Sequence, residues 1–249
     1  MSNLNFRLSI MKIKLTFLVI FIFYSICFSQ IEGRATYEIQ RNNDNENRYN
    51  NNNKKKEFVA YENKINRYIN NQSFLLVFKN GKSHFTKKKQ LTSDSENSSL
   101  NKVIEALYPD TYFDFKEQKN YIVDYNINKK GFLVALNDDK TDVEYLSENF
   151  DEVKQGIICS KAVITYNQKN KVYKTEIWYS KEINLPYGPL SYNRFPGLVV
   201  LVKENDGTLI KLKEIDFKSQ KEIEIPKLEE VTEDDLEEKY GETMNKLRN

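Results

Sequence analysis

The stretch Ile158 to Tyr179, ICSKAVITYNQKNKVYKTEIWY, sets two runs of β-branched, aromatic and alternating polar residues on either side of Asn167 to Asn170. Alternation with period two marks a half-buried strand, and a polar, Asn-rich break between two such runs marks a reversal. The stretch therefore reads as a β-hairpin. The same grammar recurs on both sides of it. Downstream, Leu198 to Glu204 and Thr208 to Ile215 flank Asn205-Asp206-Gly207. Upstream, Phe74 to Lys79 and Lys82 to Lys87 flank Asn80-Gly81, a pair suited to the two positive φ angles of a tight hairpin turn. Tyr121 to Ile127 and Phe132 to Asn137 flank Asn128 to Gly131, and Gly33 to Ile39 supplies a further strand. Successive hairpins make an antiparallel meander, and a sheet this long must curl or be covered on its apolar face. The expected class is mainly β: a curved antiparallel meander sheet, like a bowl or half-barrel.

Two segments look helical. A short helix is expected near Leu100 to Leu107, capped by the Ser-rich stretch before it and ended by Pro109. At the C-terminus, Thr232 with Asp235 resembles a capping box, acidic residues follow in the first turn, and Leu236, Tyr240, Met244 and Leu247 form one stripe, which predicts an amphipathic helix over 232–247. Residues 41–56, rich in Asn and Lys, read as a disordered, solvated loop.

At the other end, Lys12 and Lys14 precede an apolar run from Leu15 to Phe23 and then smaller residues, the order of a secretory signal peptide spanning residues 1–29. The run is shorter than the roughly 20 apolar residues of a membrane-crossing helix. Export is thus expected, with residues 30–249 as a single β-rich domain in the periplasm, against the outer membrane or secreted. Losing residues 1–29 removes Arg7, Lys12 and Lys14 and no acid, so the formal charge falls from +2 to −1. A near-neutral chain offers no basic field for phosphate backbones, which argues against nucleic acid as partner. Only Cys159 remains after such processing, so no internal disulfide forms, and a lone Cys is expected to be buried. With one histidine, His84, and no Cys/His spacing, no metal, cofactor or catalytic triad is indicated. Carboxylates are plentiful, but no pattern selects a catalytic pair, so no catalytic residue is assigned.

Three of the five prolines and two of the eight glycines fall between Leu185 and Gly197, in INLPYGPLSYNRFPGLVV. Pro186, Pro189 and Pro196 cannot donate to a sheet ladder, so this stretch is an ordered connection between the Trp178 and Leu198 strands. Pro196-Gly197 suits the centre of a type II turn with Gly197 at positive φ. Tyr187, Tyr192, Arg194 and Phe195 are candidate binding residues on a ligand-binding lip. The alternative is that the aromatics plug the open end of the sheet. Trp178 is expected in the core.

These residues also carry a family resemblance. The strand with Cys159, Lys161 and Ala162, the strand ending in Trp178-Tyr179, the Gly188-Pro189 pair and FPGLVV, with Pro196, Gly197 and Leu198 at its centre, resemble the GLPGLI family, exported proteins of Bacteroidetes. Phe195 stands where the family prefers Leu, Arg194 replaces a Gly, and Val199-Val200 replace Leu-Ile. The resemblance covers residues 155–204 closely. It implies an envelope location, a β-rich fold and no established catalytic residue, with a more distant similarity to bowl-like accessory domains of secreted glycosidases. Two functional readings follow. One is a non-enzymatic binding module for an envelope protein or ligand, with peripheral contact to a membrane and the oligomeric state left open. The other is a carboxylate-based hydrolase, or an accessory domain of a secreted glycan- or peptide-degrading system.

Overall fold

The computed structural model describes residues 31–41, 53–89, 97–127, 130–137, 141–146, 152–168 and 171–248. The segment read as a signal peptide, residues 1–29, the 42–52 part of the Asn-rich segment and the side chains of Met244 and Leu247 lie outside what is described. In chain order the elements are β1 (Gly33–Gln40), α1 (Asn53–Asn70), β2 (Ser73–Lys79), β3 (Lys82–Lys87), α2 (Asn97–Leu107), β4 (Thr111–Asp114), β5 (Lys119–Asp124), β6 (Phe132–Ala135), β7 (Thr141–Tyr145), β8 (Glu152–Lys154), β9 (Ile157–Gln168), β10 (Lys171–Ser180), β11 (Leu198–Lys203), β12 (Leu209–Asp216), β13 (Glu229–Thr232) and α3 (Glu233–Arg248).

The four hairpins form as the sequence predicts. Asn80 and Gly81 take φ of 50° and 78°, the two positive angles their pairing demands. β9 and β10 pair from Gln168 opposite Lys171 to Ser160 opposite Tyr179. Hairpins and the antiparallel pairings between them make two meanders, β1 to β6 and β9 to β12, and antiparallel pairing of β1 with β12 fuses them into one open, curved, mainly antiparallel sheet. Its path runs β13-β6-β5-β4-β3-β2-β1-β12-β11-β10-β9-β7, with β8 also on β9. The β13–β6 pairing is parallel, a departure from the pure antiparallel meander.

Register carries one apolar layer from β4 to β10, because residues directly opposite share a face. Phe113 lies opposite Ser83, Phe85 opposite Leu76, Phe74 opposite Tyr37, Leu212 opposite Tyr37 on its other side, Ile210 opposite Val202, and Val202 opposite Ile177. All of these apolar residues are buried, and Ile69 of α1 and Ile104 of α2 pack into the same cluster. On the other face of the first meander, Tyr112 and Tyr121 are covered by Ile223 and its neighbours Ile225 and Leu228.

Two expectations need correction. The chain has three helices among the described residues, not two, because α1 begins at Asn53, inside the segment read as loop. Its Asn residues lower helix propensity, and its polar composition hides the stripe Ile65, Tyr68, Ile69, which docks on the core at i, i+3 and i+4. Tertiary burial, not propensity, holds this helix. Both helices read from the sequence are present. α3 starts with the expected box: Asp235 N–H donates to Thr232 Oγ1 at 3.1 Å, and Thr232 N–H donates to Asp235 Oδ2 at 3.0 Å. The second correction concerns Pro196-Gly197. Gly197 has φ of 159°, close to extended, and its N–H donates to Phe195 O at 2.7 Å, so Pro196 sits in a three-residue turn rather than a type II turn. Glycine is required there by space: a Cβ would lie 1.9 Å from Ser180 O.

Candidate functional site

The connection from Lys181 to Gly197 leaves β10 and returns to β11 across the apolar face of the sheet. Pro-fixed backbone and local hydrogen bonds shape it. Arg194 N–H donates to Pro186 O at 3.0 Å, Tyr192 N–H to Pro189 O at 3.0 Å, and Val199 N–H to Tyr187 O at 3.0 Å. Gly188 is pressed so closely beneath this turn that a Cβ would meet Tyr192 O at 1.8 Å. Leu190 and Arg194 both hold positive φ, 52° and 67°. Arg194 thus occupies the left-handed region that glycine adopts most cheaply.

The connection reaches from one meander to the other. Tyr187 is stacked on Phe78 of β2, with ring centroids 5.5 Å apart, and sits edge-on to Phe113 of β4. Asn193 Nδ2 donates to Asn120 Oδ1 of β5 at 2.6 Å, and both amides are buried. The Arg194 guanidinium lies over the Phe113 ring and donates to Gln118 O. On the side of the second meander, Phe195 stacks on Tyr179 at 5.6 Å, and the Tyr192 hydroxyl donates to Glu204 Oε1 at 2.8 Å. The loop is a strap tying the two halves of the curved sheet together.

This geometry decides between the two roles open for the loop aromatics. Tyr187 and Phe195 are buried and Tyr192 is largely so; they plug the sheet rather than stand on a free lip. Burial, with the charge of Asp114 adding, pushes the Tyr187 hydroxyl up to about 12, against a backbone hydrogen bond from Gly81. Burial raises the Glu204 carboxyl above the usual range, although the Tyr192 hydrogen bond opposes it. Of the motif residues, Cys159 and Trp178 are buried, as expected for both, and Ala162 and Tyr179 are buried as well. Trp178 and Lys161 lie opposite each other in the ladder, and the Lys161 and Lys154 ammonium groups sit 4.6 and 4.9 Å from the indole centroid. Lys161 also pairs with Glu176 at 3.1 Å.

Open space adjoins the strap. On one flank, a groove of about 620 Å³ is bounded by Leu185, Pro186, Tyr187 and Pro196 of the loop, by Phe115 after β4 and by Ile31 before β1, with Asn80 and Asn184 as polar edges. Phe115 and Ile31 are each nearly half exposed. On the other flank, a smaller cleft of about 380 Å³ lies between the two ends of the sheet, where Asn120 and Asn137 face Val143, Tyr145, Tyr192 and Arg194. Sequence reasoning singled out the loop but missed Ile31, Asn80 and Phe115. They come from three distant segments, and the one motif among them, Asn80-Gly81, signals a turn rather than a groove wall.

A third cluster was also missed. His84 stacks on Tyr112 at 4.2 Å and lies 3.5 Å from Asp110, which accepts a 2.5 Å hydrogen bond from Thr86. Burial raises the Asp110 carboxyl, but His84 and Thr86 outweigh it and hold the group below its ordinary value. Among the described residues, no three His, Cys, Asp or Glu side chains are placed to hold a metal ion. No described helix is long and apolar enough to cross a membrane.

No family model and no curated protein matches the chain. Two solved structures of PNGF-II, in the C2 and P21 space groups, are similar in fold, with TM-scores of 0.53 and 0.52 at 14% identity. The similar region covers 86% and 85% of this chain but 33% of each PNGF-II chain. The chain therefore spans about a third of the length of the structures it resembles.

Proposed function

We propose that this chain is a non-enzymatic binding module of the cell envelope, exported by its N-terminal segment, and that the groove beside the strap is its binding site. The observation that carries this reading is an apolar concavity of about 620 Å³ with few polar edges, within the range of small-molecule sites. Its floor is anchored, because Leu185 and Tyr187 belong to the buried core. A preformed apolar site loses little entropy on occupation, and it suits an apolar ligand or an apolar side chain of a partner. The GLPGLI-type resemblance is part of the same proposal. It gains from Arg194, whose left-handed φ stands where that family has glycine.

The test is photo-crosslinking in the exporting cell. A benzophenone side chain at Phe115, on the groove, is compared with one at Val172, an exposed strand position remote in sequence from the groove residues. Specific adducts from position 115 alone support the site; equal capture or none from either position refutes it.

A second reading rests on the likeness to a third of PNGF-II. A fold found as part of a longer chain suits an accessory unit that works beside another domain, such as a secreted hydrolase, while carrying no chemistry itself. Co-purification with a larger exported enzyme would support that reading.

A further inference from the structure

The last strand on the path, β7, ends the sheet, and its phase on β9 fixes which of its backbone groups look outward. Leu146 N–H donates to Lys161 O at 3.0 Å, so residues 146 and 161 form a hydrogen-bonded pair. In an antiparallel ladder such pairs alternate with non-bonded ones. Asp142 and Glu144, opposite Thr165 and Val163, therefore spend their backbone groups on β9. Thr141, Val143 and Tyr145 turn theirs away from it, toward the sheet's open side. Side chains alternate in the same way. Val143 and Tyr145 border the cleft between the sheet ends, while Asp142 and Glu144 belong to the opposite face. All four are exposed.

Natural edge strands are commonly protected by shortness, charged side chains, proline, a bulge or a cover. β7, TDVEY, contains no lysine or proline; its protection is its shortness and its two acids, which repel an acidic edge but not a basic one, and among the described residues no strand or helix pairs with its outer side. The other end of the sheet differs, because β13 runs directly into α3. Charge then selects the occupant. β7 carries two acids and no base, and the sequence from Asp138 to Glu152 holds seven acids against one lysine. Two copies of this edge would repel each other, so a second copy of the chain is disfavoured, whereas a basic strand is attracted.

We propose that β7 accepts an extended, basic polypeptide segment by strand addition. The incoming strand places lysine or arginine opposite Asp142 and Glu144 and apolar side chains opposite Val143 and Tyr145, above the cleft. Main-chain hydrogen bonds to Val143 and Tyr145 give affinity, and the alternation gives specificity. This site uses none of the Ile31, Asn80 and Phe115 wall of the groove, so either site can fail alone.

The probe is a fluorescein-labelled hexapeptide alternating lysine and valine, titrated into the purified protein by anisotropy at low salt. Expected results are saturable binding, protection of the Val143 and Tyr145 amides from hydrogen exchange, and at least about tenfold weaker binding when alternate peptide nitrogens are methylated. The double variant Asp142→Lys/Glu144→Lys is expected to lose this peptide and to bind its glutamate–valine counterpart instead. The milder Asp142→Asn/Glu144→Gln variant, expected to weaken binding without reversing preference, covers the case in which charge reversal unfolds the edge. Undiminished binding of the methylated peptide would reduce the interaction to charge alone and overturn strand addition. So would absence of binding, or concentration-dependent self-association that protects the same two amides.

Discussion

Replacing Tyr187 by Ala removes a buried ring stacked on Phe78 and set edge-on to Phe113. Truncating a buried large aromatic costs about 3–5 kcal/mol, from lost transfer energy plus the cavity left when neighbours cannot close in. Phe78 and Phe113 sit on different strands of a paired sheet, which limits their collapse and places the cost toward the upper part of that range. For a chain of this size each kcal/mol lowers the melting temperature by about 2–4 °C, so a fall on the order of 10 °C or more is expected. Tyr187→Phe keeps the rings and loses the hydroxyl that meets the Gly81 backbone, which costs about 1 kcal/mol. Phe115→Ala, at a nearly half-exposed position on the same groove, should cost less than Tyr187→Ala. Urea unfolding with thermal melts of all three variants gives the ranking. A Tyr187→Ala protein that melts within about 2 °C of the parent would show that the loop is not part of the core, and the strap description would fall.

Trp178→Ala should cost about 3–5 kcal/mol by the same reasoning, and unchanged thermal stability would remove Trp178 from the core. Gly241 lies inside α3, where an added Cβ meets nothing within 4 Å, so Gly241→Ala should raise stability by about 0.5–1 kcal/mol, seen as a higher urea midpoint. Glu204 has a folded-state pKa raised by burial, so the folded protein holds that proton more tightly than the unfolded chain. Its contribution is present below the ordinary glutamate value of 4.5 and is lost as pH rises through the elevated folded value. Relative to Glu204→Gln, the parent should lose stability across that window; a difference that stays flat or rises with pH contradicts the assignment.

Local pairing was legible because period-two alternation and turn chemistry are short-range signals. Asn80-Gly81 and the 158–179 hairpin needed nothing else. What joins the two meanders, β1 on β12, is a contact between residues 169 to 182 positions apart, and no local pattern announces it. β4, β7, β8 and β13 are three to five residues long and fall below the length at which alternation can be counted. α1 was hidden for a different reason: its composition argues for solvent, and only docking of Ile65, Tyr68 and Ile69 overrides it. In the strap, the prolines correctly signalled an ordered connection, but the direction of its aromatics could not be read. Tyr187 and Phe195 suit either a lip or a plug, and the choice was made by Phe78, Phe113 and Tyr179 on strands far away. Gly188 and Gly197 were rightly marked as special, although at Gly197 the cause is the approach of Ser180 rather than a turn angle.

The groove as a binding site is the central claim, and native mass spectrometry of protein purified from the cell that produces it tests it most directly. The parent is predicted to carry a bound apolar species that Phe115→Asp, which places a charge on the groove wall, no longer retains although it stays folded, with a cooperative melt and the parent's circular dichroism. Equal retention by both proteins, or no bound species in either, would contradict the account.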